Sequence, residues 1–115
     1  YVHCVQNWTL TSPAFNSSLA ALRDKIGVPW LLYIPFFCPR NVYAAKWSFI
    51  ESVPGDLQFA EPAPDVAAAF YSHLFEYGIS QGMGGYENDF LNYNLLAVPT
   101  FRNTFDASST WLRGI

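Results

Sequence analysis

The ten residues Val28-Pro-Trp-Leu-Leu-Tyr-Ile-Pro-Phe-Phe37 constrain the fold of this chain more than any other stretch. They are apolar without alternation, whereas a strand with one wet face alternates apolar and polar side chains. The run therefore predicts a strand buried on both sides, as in a parallel sheet covered by helices. Two prolines, and a length far short of the roughly 20 residues a bilayer requires, exclude a membrane helix.

The flanking segments place this strand in a repeating order. Tyr1–Gln6 carries β-branched and aromatic residues and reads as a strand ending near Asn7-Trp8. Ser12-Pro13 offers an N-cap with proline at the first helical position, and Phe15, Leu19, Leu22 and Ile26 then form one helical stripe. Gly27 stands where a left-handed C-terminal cap belongs. From Cys38 to Pro64 periodicity is lost, and the segment reads as a long functional loop with a helical turn around Ala44–Ile50. Pro64-Asp65 opens a second helix, in which Val66, Phe70 and Leu74 repeat until about Gly78. Gly82–Asp89 is a further strand, the segment carrying Pro99 is irregular, and Ser108 or Ser109 caps a last helix.

Strand and helix thus alternate as in βαβ units, which predicts an α/β fold with parallel strands. The chain has 115 residues, enough for one domain or a piece of one. An eight-stranded βα barrel typically needs about 250 residues. Residues 1–115 therefore read as a small open sheet or as about three consecutive βα units of a barrel. Only 13% of residues are charged and 51% are hydrophobic, a deficit of charge that points to buried faces on several sides.

Six basic against nine acidic residues, spread without runs, leave a net charge of −3 and no basic stripe for a phosphate backbone. Nucleic acid is not an expected partner. His3 and His73 form no metal-binding spacing, and no phosphate-cradling or nucleophile-elbow motif is present, so neither metal nor cofactor is expected. The chain opens at Tyr1 without a methionine or a cleavage pattern, as in a mature product or a part cut from something longer. The sequons Asn7-Trp-Thr9 and Asn16-Ser-Ser18 are glycosylation acceptors in a secreted protein. Cys4 and Cys38 fit either one disulfide or two buried thiols.

Glu87 and Asp89 are the candidate catalytic carboxylates. Residues two apart on a strand share a face, so both would point to one side while Tyr86 and Asn88 face the other. Their passage, Gly82-Met-Gly-Gly-Tyr-Glu-Asn-Asp-Phe-Leu91, resembles the fifth-strand region of α-galactosidase-like glycoside hydrolase barrels, with their Y-E-x-D-[WF]-L element. Phe15–Pro29 is similar to that family's helix-to-strand passage, and Trp111-Leu-Arg-Gly114 to its next helix.

The resemblance implies a (β/α)8 TIM-barrel slice, incomplete as given, whose remaining strands come from the same or other chains. It also implies hydrolysis of O-glycosidic bonds with Asp89 as nucleophile. Retaining glycosidases use two carboxyl groups about 5–5.5 Å apart across the sugar, a span that neighbours on one strand rarely bridge. Glu87 is therefore assigned a sugar-hydroxyl or electrostatic role beside Asp89, with the general acid elsewhere. The sequence departs from the α-galactosidase pattern at Glu87, where lysine is common; a carboxylate there raises its neighbour's pKa instead of lowering it.

Trp8 and Tyr43 are the expected sugar-stacking platforms. Arg40 and Asn88 complete the substrate-binding candidates, with Glu51 or Asp56 as alternative partners for Arg40. Three rival readings stand beside these. In the first, the acids accept N–H bonds in a solvated turn. Glu87, Asp89, Asn92 and Asn94 offer oxygen ligands suited to calcium. In the third, the whole segment is a non-catalytic structural or carbohydrate-binding part of an extracellular assembly.

Overall fold

A computed structural model describes residues 4–9, 18–55 and 58–115. Its elements are α1 (Leu19–Ile26), β1 (Trp30–Tyr33), β2 (Phe49–Glu51), β3 (Ala60–Pro62), α2 (Ala67–Ser80), β4 (Met83–Glu87), α3 (Leu91–Ala97), α4 (Pro99–Asn103) and α5 (Ala107–Gly114). The result is a mixed α/β fold with a parallel pair, β1 and β4, in which Tyr33 stands opposite Glu87. Among the described residues no helix is long and apolar enough to cross a membrane.

Local chemistry explains most of the boundaries. Ser18 caps α1 by accepting the Ala21 N–H at 3.2 Å, and Gly27 closes it in the left-handed region at φ 73° with its N–H on the Arg23 carbonyl. The expected earlier start at Ser12-Pro13, with Phe15 in the stripe, lies outside the described residues. The Trp30 indole N–H donates to the Leu19 carbonyl at 3.0 Å and ties α1 to β1. In α2 the buried residues Ala67, Phe70, Tyr71, Leu74 and Gly78 recur at helical spacing and make one continuous seam.

Three expectations are corrected. The Val28–Phe37 run is not one strand buried on both faces: in β1 burial alternates, leaving Leu31 66% and Tyr33 43% exposed. No element among the described residues covers that face, whereas Ile34, Phe36 and Phe37 beyond it are buried. The Cys38–Pro64 segment is not simply a loop. It carries a 3-10 turn, Val42–Ala45, capped by Asn41, and the antiparallel pair β2 and β3. Finally, α5 starts after Asp106, so Ser108 and Ser109 lie inside the helix instead of capping it.

Phe37 organises the centre. Its backbone is bridged by Val5 in parallel and by Ala60 in antiparallel, and its ring meets Phe70 edge to face at 5.2 Å. Phe70 makes similar edge contacts with Tyr43, Trp47 and Phe49. Phe36 stacks on Phe59 at 4.3 Å, and Phe101 packs on the buried Trp111.

Cys4 and Cys38 form a disulfide across a sequence separation of 34, beside the Val5 bridge, which resolves the choice left open by the sequence. A closed loop of this length stabilises the fold by about 3–4 kcal/mol through the entropy it removes from the unfolded chain. The double variant Cys4→Ala/Cys38→Ala is accordingly expected to lose about that much in denaturant unfolding, with far-UV circular dichroism of the native state retained.

Candidate functional site

The exposed ends of β1 and β4 bring Tyr33, Glu87 and Asp89 together. Parallel register sets Tyr33 beside Glu87, and the chain leaves the strand through Asn88 and Asp89. Both carboxylates are exposed, and both are close enough to act on the same phenol. Partial burial first, then the charges of Asp89 and Glu87, raise the Tyr33 phenol above its ordinary value of 10.0. Tyr86 points the other way, packing on Tyr71 and Phe75, as strand alternation requires.

The turn after Asp89 is tightly made. Asp89 Oδ1 accepts the Phe90 N–H at 2.7 Å, and Phe90 itself sits at φ 59°, a left-handed conformation uncommon for a residue with a side chain. Phe90 is the N-cap of α3 and offers no side-chain cap. The acidic end of β4 and the start of α3 are thus one structural unit.

The other expected site residues are dispersed. Trp8 is not an exposed platform: it is 8% exposed, and its ring lies against Gly78, where a Cβ would come within 3.1 Å of it. Tyr43 is half-buried, edge-on to Phe37 and Phe70, and its hydroxyl accepts the Trp8 N–H at 2.8 Å. Trp8 belongs to the buried core and Tyr43 to the packing around Phe70, because their apolar area is better hidden than displayed. Arg40 is exposed and makes no ion pair with Glu51; Asp56 lies outside the described residues. Asn88 is half-buried, with a side-chain oxygen that finds no hydrogen-bond partner. Asn7 is exposed, and Asn16 lies outside the described residues.

The calcium arrangement is also corrected, because Asn94 is fully buried and turned away to Glu61. Among the described residues no group of three or more His, Cys, Asp or Glu is placed to hold a metal. A separate open groove of about 430 Å³ runs along the 3-10 turn and β2, lined by Pro39, Lys46, Trp47 and Glu51 among others. The Lys46 ammonium covers the Trp47 ring at 4.9 Å from its centre.

A polar cluster that the sequence did not signal lies behind the acidic face. Glu61 is 1% exposed, and its Oε1 accepts the Asn94 Nδ2–H at 2.8 Å. The hydroxyls of Tyr71 and Tyr86 stand close by. Tyr86 donates to the Ile34 carbonyl at 3.3 Å, while the Tyr71 hydroxyl neighbours both groups without meeting hydrogen-bond geometry with either. Burial holds the Glu61 carboxyl well above the ordinary range, a shift that the Tyr71 hydroxyl partly opposes. Burial and the charge of Glu61 push Tyr71 and Tyr86 upward as well. The four residues come from β3, α2, β4 and α3. Glu61 sits in a Pro-flanked Ala-Glu-Pro triplet with no periodic pattern to mark it as interior.

Clustering at Tyr33 has a direct signature. Asp89→Asn and Glu87→Gln should each bring the Tyr33 phenol part of the way back toward 10.0, and the double variant further, in site-resolved NMR titration of its ring. A Tyr33 titration unmoved by both changes would contradict the geometry. Comparison of the chain with known protein families, with characterised proteins and with solved structures found no match.

Proposed function

We propose that the exposed end of β4 is the working face of a carbohydrate-active domain, with Asp89 as nucleophile in the hydrolysis of an O-glycosidic bond. What supports this reading is the juxtaposition of Tyr33, Glu87 and Asp89 at the C-terminal end of a parallel strand pair. That end is where βα folds collect their chemistry. In this reading the chain supplies about three βα units of a (β/α)8 barrel. The uncovered face of β1, with Leu31 and Tyr33, is the side turned toward the barrel interior, and further strands from the same or other chains complete it.

Glu87 holds a sugar hydroxyl or tunes the charge beside Asp89, Tyr33 offers a ring and a hydroxyl to the substrate, and the general acid comes from outside this chain's acidic pair. The Cys4–Cys38 disulfide is compatible with an extracellular setting, and we place the protein there, with Asn7 as an accessible glycosylation acceptor.

One observation favours a second reading. Asp89 already accepts the Phe90 N–H, a use of an acidic turn residue that requires no substrate. The same face would then bind carbohydrate, or brace a larger assembly, without catalysis.

Turnover separates the two. On a panel of aryl glycosides, the protein completed by its remaining strands is expected to be active and Asp89→Asn to lose on the order of a thousandfold or more in kcat. Equal turnover in the variant would overturn the nucleophile assignment; oligosaccharide binding without turnover would establish the second reading.

A further inference from the structure

Helix α3 is attached in an unusual way. It has seven residues, too few to be stable on its own, and its only fully buried side chain is the polar Asn94. Leu91, Tyr93 and Leu96 are exposed, and its apolar contact with the core is confined to the partly buried Leu95 and Ala97. Its polar inward anchors are the Asn94 to Glu61 hydrogen bond and, at its far end, the Val53 N–H on the Ala97 carbonyl at 2.9 Å. At its near end it continues directly from the Asp89–Phe90 turn.

The partner of Asn94 is a group with two protonation states. The titratable groups facing Glu61 are Tyr71 from α2 and Tyr86 from β4, α3 contributes the neutral Asn94, and Ile50 stands opposite it on β2. Among the described residues no cation stands beside it, since burial and the Tyr71 hydroxyl are the influences on its proton. With its proton, Glu61 is a neutral acid that still accepts from Asn94 and leaves no charge in the interior.

Without the proton the bond to Asn94 is strengthened, yet a charge is left in the interior with no counterion. That is the costlier state. The system relieves it by admitting water, and the weakest cover over Glu61 opens first.

We propose that the Glu61–Asn94 pair is a proton-dependent latch: α3, and with it the turn that carries Asp89, stays docked while Glu61 is neutral and is released when Glu61 ionises. The direction follows from linkage. The docked state holds the proton more tightly than the open one. Docking is therefore strongest below the ordinary glutamic acid value of 4.5 and is lost as pH rises through the higher value of the docked state. The latch stands whether or not Asp89 turns over a glycoside.

Hydrogen exchange tests it without any activity measurement. Above about pH 4.5 the opening of α3 should rise roughly tenfold per pH unit in addition to the intrinsic tenfold rise of amide exchange, until Glu61 is ionised in the docked state. Amides 94–97 should therefore show a slope near two in log rate against pH, while those of α5 show a slope near one. In Glu61→Gln, which keeps the acceptor for Asn94 but does not ionise, the extra slope should vanish.

A slope of one in the unaltered protein, or a slope of two surviving in Glu61→Gln, overturns the proposal. Tyr71→Phe provides a second arm should the glutamine variant not fold. Removing the hydroxyl that favours ionisation should extend the steep region to higher pH, and an unmoved boundary also overturns the proposal.

Discussion

The contact between Phe37 and Phe70 holds the remaining structure in place. Phe37 is where the chain's N-terminal segment, its central strand and β3 come together through backbone bridges, and Phe70 is the ring on α2 into which its side chain packs. Edge-to-face geometry directs the positive rim of one ring at the negative face of the other, so this contact selects an orientation as well as burying area. Tyr43, Trp47 and Phe49 read the same ring, which draws the 3-10 turn and β2 onto α2. The disulfide at Cys38, one residue along, clamps the N-terminal segment to this centre from the covalent side.

A core so aromatic has to place its polar groups with care, and Glu61 shows the consequence. It is the neighbour of Ala60, whose backbone bridges Phe37, so the packing that seats Ala60 carries the next residue inward beside Tyr71, Tyr86 and Asn94. Fold and chemistry are coupled there. The acidic pair at the end of β4 is exposed to water, whereas the carboxyl behind it is buried and holds its proton more tightly than usual. Tyr86 and Glu87, adjacent in sequence, divide these two environments between the two faces of one strand.

Much of the architecture was legible because it rests on local periodicity. The stripe of α2, the Gly27 cap and the parallel relation implied by strands alternating with helices are all encoded within short windows. Some misreadings were also local. The segment carrying Pro99 reads as irregular although it forms α3 and α4, with Pro99 in the first turn of α4, and the prolines around β2 and β3 hide an antiparallel pair in an apparent loop. Of the expected site, Glu87 and Asp89 fall together, while Trp8 and Tyr43 do not join them. An aromatic side chain has the same identity on a platform and in a core, and only its neighbours distinguish the two.

The sequence by itself determined the helices α1 and α2, the strands β1 and β4 that follow them, and the nearness of Glu87 to Asp89, because caps, helical period and adjacency are properties of consecutive residues. Tertiary structure alone decided that Cys4 meets Cys38, that Trp8 is hidden against Gly78, and that Glu61 is sealed beside Asn94 across 33 residues of chain. These outcomes turn on which distant surfaces exclude water from a given atom, and no local pattern carries that information.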